Sequence, residues 1–223
     1  MVRTVTSDQL LFQVNSISEL VRCWDDHRGI GRPRMDIDDH RLTAVTQRRS
    51  PHADERPPGT PVSLIVVHGI SLPAGHFGGP YIDDLFTGDF QSLLAAHTDF
   101  GELDGARVSS HLLIERNGEL TQYVPFDRRA WHAGESCFRG NTGCNDFSIG
   151  IELEGTDNEP YRREQYERLS TVVRLLAAAY PIEAVLGHSD IAPGRKSDPG
   201  PAFDWQLVHH LLKDRTGYTL SLR

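Results

Sequence analysis

The sequence predicts a single α/β (α+β) domain in which a central mixed β-sheet is flanked by helices. Three observations carry this expectation: a short β-branched run, VSLIVVHG (62–69), an alternating run, FSIGIELEG (147–155), and a segment of helical period between residues 161 and 181. Strands interleaved with helices in this way build layered domains around one sheet. At 223 residues the chain is long enough to bury one sizeable core.

Residues 1 to about 60 are polar and interrupted by GIGRPR and RRSPHADERPPGTP, with a short helix expected only near SISELVRCWDD. This stretch reads as leader and linker. Met35 directly follows the first Gly/Pro-rich break. Residues 1–34 are therefore expected to be a disordered extension or to precede the true start, and 35–223 to form the domain, with its core at about 61–215. VSLIVVHG, apolar throughout and ended by Gly69, reads as a strand buried on both faces. SSHLLIERNGELTQYVP (109–125) sets two β-type runs around Asn117-Gly118, a strong hairpin signal. In FSIGIELEG, Ile149, Ile151 and Leu153 take one side and Gly150, Glu152 and Glu154 the other, so the two carboxylates share a face. Tyr166, Leu169, Val172, Val173, Leu176 and Tyr180 recur at steps of three and four before Pro181, the pattern of an amphipathic helix and its stop. AVLGHSD (184–190) reads as a strand that delivers His188 to a loop, and FDWQLVHHLLKDR (203–215) as a closing helix.

Charge and composition exclude several function classes. With 23 Lys and Arg against 31 Asp and Glu the formal charge is -8, which disfavours nucleic acid and anionic membranes as partners. No window approaches the length of a membrane span, and no secretory signal is visible. Three cysteines, Cys23, Cys137 and Cys144, fit reduced thiols in a cytoplasmic protein rather than a Cys137–Cys144 bridge.

The chemistry gathers in GHSDIAPGRKSDPG (187–200), which is too rich in Gly and Pro to carry much core. Most of the eleven histidines need only solvation or packing. His68 and His188 differ, because each ends an apolar strand beside a Gly, where sites commonly gather. Asp198 follows ten residues after His188 in a Pro/Gly frame that can turn its carboxylate back. Two His and one Asp leave a fourth tetrahedral position open, as a catalytic zinc requires. Glu152 is then a candidate general base and Lys196 a candidate partner for an oxyanion. Spacing alone leaves the plainer readings open: a solvent-side strand carboxylate, an exposed loop lysine, and no HExxH or CxxC signature.

Four blocks, VVHGISLPAGHFGGPYIDDLF, RVSSHLLIERNGELTQYVPFDRRAWHAG, CNDFSIGIELEGTD and GHSDIAPGRKSDPGPAFDW, resemble the cytoplasmic 1,6-anhydro-N-acetylmuramyl-L-alanine amidases of the AmpD type. These belong to the zinc amidase superfamily that includes peptidoglycan recognition proteins. The similarity runs from about Met35 to about Trp205 in the family order. It implies an N-acetylmuramoyl-L-alanine amidase-like fold and one zinc per chain on His68, His188 and Asp198. It also implies Glu152 as catalytic carboxylate and Lys196 as stabiliser of developing negative charge. Arg107, Trp131 and His132 fall in segments that resemble substrate-cleft positions, and a basic patch of Arg107, Arg195 and Lys196 would receive the carboxylates of a muropeptide. Gly69 replaces the amide residue often found after the first ligand, and Ala74 a proline; neither touches a ligand position. The implied reaction, part of peptidoglycan recycling, cuts the amide between the lactyl group of anhydro-muramic acid and L-alanine. Two alternatives are a periplasmic or secreted amidase acting on intact peptidoglycan, and a non-catalytic peptidoglycan-binding module.

Overall fold

A computed structural model describes residues 35–96, 98–103, 105–213 and 221–222. The expected helix near residues 16–26 and the expected extension lie outside these. A seven-stranded sheet is built from β1 (Thr46–Gln47), β2 (Leu64–Ile70), β3 (Leu112–Ile114), β4 (Leu120–Gln122), β5 (Ser148–Glu154), β6 (Ala184–Gly187) and β7 (Ser221–Leu222). Their order across the sheet is β7-β6-β2-β5-β3-β4-β1. All neighbours are parallel except the β3–β4 hairpin, so the sheet is mixed as expected.

Helices α1 (Tyr81–Thr87), α2 (Phe90–Ala96), α3 (Arg163–Ala179), α4 (His188–Ile191) and α5 (Trp205–Lys213) complete the frame. One face of the sheet, through Ile65, Val67, Ile149, Ile151, Leu153 and Val185, shares a core with Tyr166, Leu169, Val172, Val173 and Leu176 of α3 and with Val208 and Leu212 of α5. The apolar stripe read from residues 161–181 is that contact. Helix α3 starts where Gln165 Oε1 accepts the Arg162 backbone N–H (3.0 Å). Gln165 Nε2 then donates to the carbonyls of Ile114 (3.2 Å) and Glu154 (3.0 Å), which ties the helix start to two strand ends.

The hairpin turns at Gly118, whose φ of +80° suits glycine alone among common residues. Gly118 N–H donates to the Glu115 carbonyl (2.8 Å), and Glu115 N–H to the Glu119 carbonyl (2.9 Å). Three residues thus form the loop, with Gly at the left-handed position.

Two expectations need correction. Residues 35–60 are not a linker: β1 extends the main sheet, and Ala53–Glu55 pairs antiparallel with Arg128–Ala130. Paired segments of two or three residues are too short to show a period in sequence. His188 opens the short helix α4 instead of entering an irregular loop. Helices α1 and α2, which were not anticipated, bury Ile82, Leu85, Phe86 and Leu93 in a second core with Leu113, Tyr123 and Val124. Cys137 and Cys144 are free thiols. Among the described residues no helix is long and apolar enough to cross a membrane.

Candidate metal centre

Parallel register assembles the site. Glu152 on β5 is the direct partner of His68 on β2, and Gly187 of β6 pairs with Val67, so His188 emerges beside His68 at the same strand ends. Carboxyl ends of parallel strands are where ligands bind in open α/β sheets. Side chains in register share a face, so His68 and Glu152 leave the sheet on the side away from α3. Asp198 is returned to this edge when Ser189 N–H donates to the Asp198 carbonyl (3.0 Å).

Three donor atoms converge. His68 Nδ1 lies 3.0 Å from His188 Nδ1 and 3.1 Å from Asp198 Oδ2, and His188 Nδ1 lies 3.2 Å from that same oxygen. Ligands on a tetrahedral zinc at about 2.0–2.1 Å stand about 3.3 Å from one another. Two imidazole nitrogens and a carboxylate oxygen at these separations fit a borderline-soft divalent cation. Both imidazoles are nearly inaccessible, at 2% and 3% exposure.

Electrostatics suit these groups to a cation. Burial pushes the His68 imidazole down to about 4, opposed by its hydrogen bond with Asp198. Burial also pushes the Asp198 carboxyl up, but hydrogen bonds from His188 and His68 outweigh it and hold the group below the usual carboxylate range. A neutral His68 and an ionised Asp198 are the forms that bind a cation. Glu152 is 8% exposed, with Oε1 at 4.0 Å from His68 Nδ1. Burial pushes its pKa well above the usual range, the negative charge of Asp198 adds to this, and the positive charge of Lys196 opposes it. The plainer reading of Glu152 as a solvent-side carboxylate therefore fails.

The remaining expected residues divide between the surface and the centre. Lys196 is exposed, yet its charge reaches both His68 and Glu152. Arg107 is exposed. Arg195 is exposed and donates to the carbonyls of Ala133 (2.6 Å) and Glu135 (2.6 Å) through Nη2, which also lies 3.4 Å from His188 Nε2, so its positive charge is held beside the centre. Trp131 is half-buried, donates from Nε1 to Asp54 Oδ1 (3.1 Å) and stacks on His52. His132 sits against the ligand set, with Nδ1 at 2.9 Å from His68 Nε2.

Several supporting residues gave no signal in sequence. Asn145 accepts two backbone N–H groups behind the site, and Arg56, largely buried, donates to the carbonyls of Phe126, Asn145, Asp146 and Ser148. Tyr161 Oη donates to the Pro199 carbonyl (3.0 Å) and lies where a side chain at position 69 would stand, 2.3 Å from an ideal Cβ. The departure at Gly69 thus has a packing cause.

Comparison with known proteins accords with this geometry. Residues 58–201, well over half of the chain, match the family described as N-acetylmuramoyl-L-alanine amidase. A curated Escherichia coli K12 protein named 1,6-anhydro-N-acetylmuramyl-L-alanine amidase AmpD is 56% identical over 177 residues, covering 78% of this chain and 96% of its own. The protein of the same name from Haemophilus influenzae is 48% identical over 178 residues, with 78% and 96% coverage. A crystal structure of a selenomethionine AmpD derivative superposes with a TM-score of 0.76 at 52% identity, covering 79% of this chain and 98% of that one. The chain belongs to the N-acetylmuramoyl-L-alanine amidase family.

Proposed function

We propose that this protein is a zinc-dependent amidase of peptidoglycan recycling, hydrolysing the amide between the lactyl group of 1,6-anhydro-N-acetylmuramic acid and L-alanine of muropeptides. The single observation that carries the chemistry is the convergence of His68, His188 and Asp198 beside buried Glu152. The choice of substrate is supported by curated relatives, about half or more identical over most of their length, whose names carry this activity.

His68, His188 and Asp198 would hold the metal. Bound zinc supplies Lewis acidity that polarises a carbonyl and acidifies water. Glu152 accepts the proton of the attacking water and returns it to the departing amine of L-alanine, so proton and leaving group balance. Glu152 takes up the proton in its ionised form, and burial, which raises its pKa, strengthens its basicity toward that proton. Lys196 places positive charge toward the oxygen on which negative charge develops. Trp131 and Arg107 are retained as substrate-side candidates, and a cytoplasmic location is part of this reading on the strength of the sequence resemblance.

The test is an assay of purified protein on soluble anhydro-muropeptide and on intact sacculi, each with and without chelator. Release of peptide from the soluble substrate, abolished by chelation, is expected. Release from sacculi alone would select a cell-wall hydrolase. No release from either substrate with zinc bound would select a binding module.

A further inference from the structure

We infer that the dipeptide His132–Ala133 is a clamp that fixes both imidazole ligands in their metal-binding tautomer, and that Asn145 pins the clamp. His132 is then a positioning residue and not a substrate contact. The inference rests on the metal reading above and concerns a layer of residues behind it.

Both imidazoles turn Nδ1 inward; once a cation takes the place of the proton that each Nδ1 shares with Asp198, the remaining proton of each ring is on Nε2. In that metal-binding form His68 Nε2–H donates to His132 Nδ1, 2.9 Å away, and His188 Nε2–H to the Ala133 carbonyl, 3.1 Å away. Two adjacent residues thus accept from the two ligands, one by side chain and one by backbone. With Nδ1 accepting, the other nitrogen of His132 carries a proton and donates to Ser148 Oγ at 3.2 Å, which completes a directed chain from ligand to strand β5. Partners of this kind orient ligand rings and raise their basicity.

The clamp is itself held from behind. Asn145 Oδ1 accepts the backbone N–H of His132 (3.1 Å) and of Ala133 (2.8 Å), and Arg195 Nη2 donates to the Ala133 carbonyl (2.6 Å). The sheet leaves room for the ring: an ideal Cβ at Gly150 would lie 2.5 Å from His132 Cγ. Real side-chain carbons do not approach so closely, so glycine at 150 is the condition for the imidazole to lie on β5.

The experiment measures the zinc(II) affinity of the full chain by competition with a chromogenic chelator, for wild type and for His132→Leu, His132→Asn and Asn145→Ala. Metal-free thermal melts establish folding, and kcat and KM are recorded on anhydro-muropeptide. Loss of a ligand's outer partner is expected to weaken zinc binding by about 10- to 100-fold in His132→Leu, and loss of the support behind it to weaken binding less, in the same direction, in Asn145→Ala. His132→Asn, which keeps an acceptor near the Nδ1 position, is expected to retain most of the affinity, and KM of the zinc-loaded variants to stay near wild type. Wild-type zinc affinity in His132→Leu with a raised KM would overturn the inference in favour of substrate contact. Equal weakening in His132→Leu and His132→Asn would overturn it in favour of simple packing. Should His132→Leu fail to fold, unchanged affinity in Asn145→Ala overturns it alone. A wild-type chain that binds no zinc would instead sink the metal reading beneath it.

Discussion

Glu152 holds a carboxylate where water scarcely reaches, beside a second carboxylate at Asp198. Such a placement is costly, and chemistry is its evident use. Glu152→Ala is expected to keep zinc while kcat falls by about 10²- to 10⁴-fold; steady-state kinetics with metal analysis on the same sample checks this, and an unchanged rate would assign the base elsewhere. His188→Ala is expected to lose metal and activity together, because two remaining ligands rarely hold a catalytic zinc. Asp54 illustrates a purely structural shift. Its bidentate hydrogen bonds from Arg129, helped by Trp131 and opposed by burial, hold the carboxyl at about 2. A folded value below the usual 3.8 means that the pair contributes stability above about pH 4 and loses it as the pH falls toward 2. Asp54→Asn should therefore lower stability at pH 7 by about 1 kcal/mol or less, given the partly exposed pair, and the difference from wild type should shrink toward pH 2 in urea melts.

Helix α3 and strand β5 were legible because each repeats its signal many times, over 17 and 7 residues respectively. A stripe at steps of three and four has one burial solution, and alternation puts Glu152 and Glu154 together before any coordinate is known. Leu169 of α3 is fully buried against the sheet. Leu169→Ala is expected to cost about 2–5 kcal/mol, measurable by urea denaturation; a cost below this range would mean that the helix is not a principal wall of the core. Helices α1 and α2, of seven residues each, complete only two turns and gave no usable period. Strand β1, two residues long, is defined by its partner and not by its own sequence.

At the scale of the molecule, parallel strands bring together groups 120 and 130 residues apart in the chain. The ends of two apolar runs marked His68 and His188, and a Pro/Gly frame marked Asp198, so the residues that converge were readable. What surrounds them was not. Asn145 contributes one oxygen to two backbone N–H groups, and Arg195 reaches backbone carbonyls; contacts to main chain leave no pattern in sequence. The family relationship extends the same geometry to a reaction, which predicts that peptide is released from soluble anhydro-muropeptide far faster than from intact sacculi. The most direct test is elemental analysis of the purified, active chain, coupled to stripping and reloading of the metal. One zinc per chain is expected, with activity lost on chelation and restored by zinc; full turnover in a preparation free of divalent metal would contradict it.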